Sequence, residues 1–166
     1  VSAIIIRPEQ PGDEATIHAL TEAAFRDMPF SDGDEQDLVD RLRADGDLTL
    51  SLVAEDAGKI LGHIAFSPVS ISDGSEDWFG LGPVSVCPEL HGQGIGSLLI
   101  RRGIADLSDI GARGIVLLGS PEYYGRFGFG HDPLLAYPGP PPEYFQRLVL
   151  NGPPPAGVVT YAPAFG

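Results

Sequence analysis

Lysine and cysteine are almost missing from this chain of 166 residues: there is one of each, Lys59 and Cys87. Lysine and arginine together number 10 against 23 aspartates and glutamates, a formal net charge of −13. Nucleic-acid phosphates demand basic surface, so that charge excludes a nucleic-acid partner. A cationic partner suits it better, although the same acidity also serves solubility. A lone cysteine can form neither an internal disulfide nor a cysteine zinc site. Cys87 ends an apolar strand and reads as a buried structural thiol. No apolar run approaches the roughly 20 residues that span a bilayer, and Ala3 to Ile6 is too short for a secretory signal. The expectation is a cytoplasmic protein with no membrane partner, and a homodimer stays open.

Glycine (22) and proline (16) are plentiful, and 43% of residues are hydrophobic. Residues 1–166 are therefore expected to form one domain around one core. Ile4 to Ile6 reads as a first strand that Pro8 to Gly12 breaks. Asp13 can cap a helix to Arg26, with Ile17, Leu20 and Ala24 at helical spacing. Asp27 to Gly33 is a turn-rich connection to a second helix, Asp34 to Ala44, that Gly46 ends. Leu48 to Glu55 and Ile60 to Ile71 read as antiparallel strands joined by a hairpin at Asp56 to Lys59. Trp78 to Cys87 is a fourth strand, irregular or bulged at Pro83, which has no N–H for a ladder. A helix from Gly94 to Ile110 then leads to a fully apolar strand, Ile115 to Leu118, and the βαβ crossover makes the two strands parallel. Tyr144 to Leu150 and Val158 to Tyr161 are apolar enough to be strands between proline-stiffened loops.

Between strand and helix lies the most informative stretch, Cys87-Pro88-Glu89-Leu90-His91-Gly92-Gln93-Gly94-Ile95-Gly96-Ser97. Alternate glycines let successive N–H groups converge on an anion at a helix N-terminus, which points to a phosphate. Walker A chemistry is excluded because no lysine follows the last glycine. A dinucleotide fingerprint is excluded because Ser97 stands where its third glycine belongs.

The stretch from Val84 to Leu99 resembles the coenzyme A pyrophosphate loop of the GCN5-related N-acetyltransferases. Their signature, Arg or Gln, two residues, Gly, one residue, Gly or Ala, falls on His91 to Gly96, with histidine in the leading place. A second element, Tyr-x-x-x-Gly-Phe, falls on Tyr124 to Phe129. The Pro121 to Phe129 run, the Gly62 to Pro68 strand and the closing Tyr161 to Phe165 resemble an uncharacterised bacterial subgroup of these N-acetyltransferases. The resemblance implies an α/β (α+β) fold with a mixed, mostly antiparallel sheet, flanked by helices and splayed between the fourth and fifth strands, Trp78 to Cys87 and Ile115 to Leu118. It implies acetyl-CoA as cosubstrate, no metal, and an amine-bearing acceptor, a small molecule or a protein. Main-chain groups of Val84, Ser85 and Val86 would meet the pantetheine arm. His91, Gly92, Gln93, Gly94, Ile95, Gly96 and Ser97 would hold the pyrophosphate. A neutral histidine donates a hydrogen bond but is charged only below a pKa of about 6.5, unlike arginine.

Acetyl transfer to an amine also needs a proton donor for the departing thiolate, and Tyr124, with a phenol pKa of about 10, fits that role. Tyr123 is its less favoured neighbour. No single general base stands out among Glu122, His63, Glu76 and Asp77, and a water chain is the alternative. Arg101 and Arg102 either reach the 3′-phosphate of the nucleotide or are solvated helix charges. Asp27, Asp32, Asp34 and Glu35 fall where the family's acceptor site lies. The rival reading is a catalytically silent coenzyme A-binding sensor or interaction module on the same fold.

Overall fold

A computed structural model describes residues 3–29 and 31–166; Phe30, in the connection expected between the first two helices, lies outside the described residues. The chain runs β1 (Ile5–Pro8), α1 (Glu14–Phe25), α2 (Glu35–Asp45), β2 (Leu50–Asp56), β3 (Lys59–Pro68), β4 (Ser70–Ile71) and β5 (Trp78–Val86). It continues through α3 (Ile95–Asp109), β6 (Gly114–Leu118), α4 (Pro121–Gly125), β7 (Leu135–Ala136), β8 (Phe145–Val149) and β9 (Gly157–Thr160). The main sheet has the order β1-β2-β3-β5-β6-β8 and is antiparallel except where β5 meets β6. A smaller sheet, β4-β9-β7, gathers the C-terminal segments. Among the described residues no helix is long and apolar enough to cross a membrane.

Most expected elements are in place, and the differences have local causes. Asp13 stands at the N-cap of α1 but does not cap it. Its carboxylate instead accepts from the Arg7 guanidinium at 2.9 Å and the Gln10 N–H at 2.8 Å. The strand expected to run to Ile71 stops at Pro68, and Ser70–Ile71 turn into the smaller sheet. Of that sheet, β9 matches the strand expected at Val158 to Tyr161, whereas β7, two residues long, carries no pattern to read from sequence. Cys87 is half-buried rather than buried, and its thiol donates to Glu89, which pushes the thiol pKa up.

The core forms around β3, which is buried on both faces. Ile64 and Phe66 pack with Leu52 against Leu99 and Leu107 of α3 on one side. Ile17 of α1 and Val39 of α2 cover Val53 on the other. Burying each such side chain stabilises the fold by about 1.5–3 kcal/mol.

A polar network runs beneath α2 and ties it to the sheet. Arg43 grips both oxygens of Glu9, at 2.8 and 2.9 Å, and the Ser51 hydroxyl donates to Glu9 at 2.6 Å. Burial raises the Glu9 pKa, but the Arg43 and Ser51 hydrogen bonds outweigh it and the net shift is downward. Because the Ser51 proton is committed to Glu9, the His63 Nε2 at 2.8 Å must be the donor to Ser51. Nδ1 of His63 is then a bare acceptor, fully buried with no partner. Burial holds this imidazole neutral, with its pKa lowered to about 4.

The parting of β5 from β6 shapes everything that follows. They pair only through Trp78↔Gly114, Phe79↔Ile115 and Gly80↔Val116. Between Leu81 and Val84 the ladder with β3 shifts, because three steps along β5 oppose two along β3. This is the bulge expected at Pro83. β6 pairs with β8 along its whole length on its other side, and β5 beyond Gly80 is left with a free edge.

Two stability predictions follow. A Cβ on Gly114 would strike the buried Trp78 ring, so Gly114→Ala should cost about 1–3 kcal/mol by overpacking; thermal unfolding will measure it, and an unchanged midpoint counts against the packing described. His63 is depressed in the folded state, so its contribution is complete above about pH 6.5 and lost as pH falls toward 4, by up to about 3 kcal/mol. Urea titrations between pH 7 and 5 should show that slope in the wild type and a flat line in His63→Leu.

Candidate active site

The first turn of α3 has no side-chain cap and no acidic residue. Gly92 and Gly94 take φ values of 81° and 86°, a left-handed conformation that strains any residue with a Cβ. They turn the chain sharply from the 3-10 turn at Pro88–Leu90 into the helix. The first intrahelical bond is donated by Leu98 to Gly94 O. The N–H groups of Ile95, Gly96 and Ser97 are therefore left without helical partners, with the positive end of the helix dipole behind them. A cavity of about 540 Å³ opens against this turn.

That cavity joins the loop to the free edge of β5. It is lined by His91, Gly92, Gly94, Ile95, Gly96 and Ser97 from the loop and by Val84 and Val86 from the strand. Cys87 N–H donates to Leu61 O at 2.9 Å, which fixes the alternation of the β3–β5 ladder. The main chain of Ser85 consequently faces β3, while the N–H and C=O groups of Val84 and Val86 face the cavity. The Val86 carbonyl already accepts from Nε2 of His91 at 2.7 Å, so that nitrogen carries the proton. His91 thus spans the strand end and the glycine turn.

Two residues expected at the cofactor do not line the cavity. Ser85 is fully buried with its hydroxyl toward Thr21, 3.4 Å away, and Gln93 is exposed. Arg102 is tied to Asp106 at 3.0 Å and to Ile6 O at 2.9 Å, and Arg101 lies over the Phe127 ring at 4.8 Å. The cation that does line the cavity is Arg126, whose guanidinium sits 4.7 Å from the centre of the Tyr123 ring. Sequence reasoning passed over Arg126 because α4 brings it to the cavity through a turn of five residues. Phe25, at the end of α1, and Met28, in the connection expected at Asp27 to Gly33, were also missed.

Tyr124 is positioned by packing from several sides. Ser120 caps α4 by accepting from Tyr123 N–H, and Pro121 opens the helix. A Cβ on Gly119 would collide with the Tyr124 ring, so that ring lies directly on the backbone at the end of β6. Tyr123 packs edge-on at 4.9 Å and Phe129 at 6.1 Å. Burial raises the Tyr124 phenol to about 12, so it stays protonated and a donor throughout the neutral range. Tyr123 also lines the cavity, with its hydroxyl 3.4 Å from Ser97 Oγ.

A second cavity, of about 420 Å³, lies beside the first, and Phe25, Met28, Val84 and Tyr124 line both. Its other walls include Leu81 and Pro83 of β5 and Phe165 near the C-terminus. Of the four acids expected near an acceptor, Glu35 lines it, whereas Asp27, Asp32 and Asp34 are exposed outside it. The candidate bases are not gathered here. His63 belongs to the network under α2, and Glu122, Glu76 and Asp77 line neither cavity.

A family model for the acetyltransferase (GNAT) family matches residues 16–129. The uncharacterised N-acetyltransferase YhbS of Escherichia coli strain K12 is 40% identical over 141 residues, 82% of this chain and 81% of that protein. The crystal structure of a GNAT family acetyltransferase from Brucella melitensis, in complex with acetyl-CoA, aligns over 99% of both chains with a TM-score of 0.88 and 50% identity. That of YhbS from Escherichia coli, in complex with CoA, covers 99% of this chain and 93% of its own, with a TM-score of 0.88 and 36% identity. The glycine turn, the parted strands and these likenesses over most of the sequence agree, and the chain belongs to the GNAT family of acetyltransferases.

Proposed function

We propose that this protein is an acetyl-CoA-dependent N-acetyltransferase that passes the acetyl group directly from the thioester to a primary amine. The observation that carries the reading is the meeting of two cavities at Val84 and Tyr124, one running to the glycine turn and one without any part of that turn. The similar proteins from Brucella melitensis and Escherichia coli hold acetyl-CoA and CoA, respectively.

The chain's own groups divide the work. The free N–H groups of Ile95, Gly96 and Ser97 and the helix dipole suit a pyrophosphate. Arg126 supplies the one cationic side chain lining that cavity among the described residues. The main-chain groups of Val84 and the N–H of Val86 suit the amides of the pantetheine arm, and a free N–H among them can polarise the thioester carbonyl. In the transfer, the neutral amine nitrogen bonds to the carbonyl carbon and the carbon–sulfur bond breaks. The thiolate takes the Tyr124 proton, and the phenolate is restored by a proton that the new amide nitrogen sheds. The proton that the ammonium form lost beforehand leaves to solvent, so the balance is one amide, one thiol and one proton.

Tyr124→Phe should lower kcat by about a hundredfold or more while leaving acetyl-CoA affinity unchanged, measured by thiol release and by calorimetry. With the Tyr124 phenol at about 12, the wild-type rate should show no falling limb from this group below pH 10. Arg126→Gln should raise KM for acetyl-CoA roughly tenfold or more and leave acetyl-pantetheine, which lacks the pyrophosphate, unaffected. Acetyl-CoA binding without turnover on any amine would support the sensor reading instead.

A further inference from the structure

The second cavity has a wall chemistry that narrows the acceptor. Leu38, Leu81, Pro83, Phe165 and the faces of Tyr137 and Tyr161 make it apolar and aromatic. Glu35 is its one charged residue among the described residues. The Glu35 carboxylate is steadied by the Ser31 hydroxyl, which donates to it at 2.7 Å. Its volume of about 420 Å³ is near the small end of ligand cavities, which run from about 300 to 1,000 Å³. Met28, half-exposed at the junction of the two cavities, is a flexible thioether that can follow the outline of an apolar guest.

We infer that the acceptor is a compact primary monoamine with an apolar body, its body against these walls and its ammonium drawn in by Glu35. The inference rests on the N-acetyltransferase reading and narrows it. A polyamine would leave its second and third charges against leucine, proline and phenylalanine, where an unpaired charge is costly to bury. A lysine in a peptide would bring a run of main-chain amides against the same leucine, proline and phenylalanine side chains, which cannot pair with them. The exposed Asp27, Asp32 and Asp34 nearby, and the net charge of −13, favour approach of any cation. Selection among cations therefore falls to the cavity.

The test is thiol release from acetyl-CoA with hexylamine, benzylamine, spermidine and a lysine-containing peptide. The two apolar monoamines should exceed the others in kcat/KM at least tenfold. Glu35→Gln keeps the acceptor oxygen for Ser31 and should lower kcat/KM for benzylamine roughly tenfold to a hundredfold. The same variant should leave KM for acetyl-CoA, and inhibition by the neutral isostere benzyl alcohol, unchanged. A merely structural role for Glu35 would move all three. Preference for spermidine or the peptide overturns this inference and upholds acetyl transfer. Calorimetric binding of acetyl-CoA with no turnover on any amine overturns the transfer reading and this inference together.

Discussion

The free edge of β5 is the feature on which the rest depends. A β-strand inside a sheet spends its main-chain hydrogen bonds on its neighbours, and an unpaired edge normally invites aggregation. Here β5 pairs with β6 for three residues and then leaves it, at the bulge that Gly82 and Pro83 introduce. Proline has no N–H to give, so the ladder has least to lose at this point. The opening is interior rather than peripheral, since β6 goes on to pair with β8. Its edge therefore lines a cavity inside the fold instead of lying along the rim of the sheet.

The surrounding parts hold that opening in shape. Trp78 packs over Gly114 at the closed end, and no larger residue fits opposite it. Tyr124 lies on Gly119 at the open end, wedged by Tyr123 and Phe129. The Glu9, Arg43, Ser51 and His63 network secures α2, which brings Glu35 and Leu38 to the second cavity. His63 illustrates how position decides chemistry. An imidazole with an unsatisfied nitrogen looks like a candidate base, yet burial holds it neutral and it lines neither cavity, and its consequence is for stability in acid.

Much of this was legible in the sequence wherever signals were local. The hairpin at Asp56 to Lys59, the parallel βαβ unit around the glycine turn and the bulge at Pro83 each follow from a few adjacent residues. The small C-terminal sheet did not, because β4 and β7 are two residues long and owe their pairing to β9, far away in sequence. Asp13 shows a related limit: its place marks the start of α1, but Arg7, back in β1, takes its carboxylate. At the site, motif spacing located the loop and Tyr124. It could not say that alternation in the ladder turns Ser85 away, that His91 folds back onto the Val86 carbonyl, or that Arg126 rather than Arg101 or Arg102 lines the cavity. Those are consequences of register and of helix rotation, which depend on the whole sheet.

The central claim is that Val84 and Val86 present unpaired main-chain N–H groups to the cavity while Ser85 between them does not. Residue-resolved amide hydrogen exchange, with and without saturating acetyl-CoA, measures this directly. The account predicts fast exchange at Val84 and Val86 in the free protein, slow exchange at Ser85, and protection of the two valines when acetyl-CoA binds. Slow exchange at both valines in the free protein, or binding that protects the glycine turn and leaves them unchanged, would contradict it.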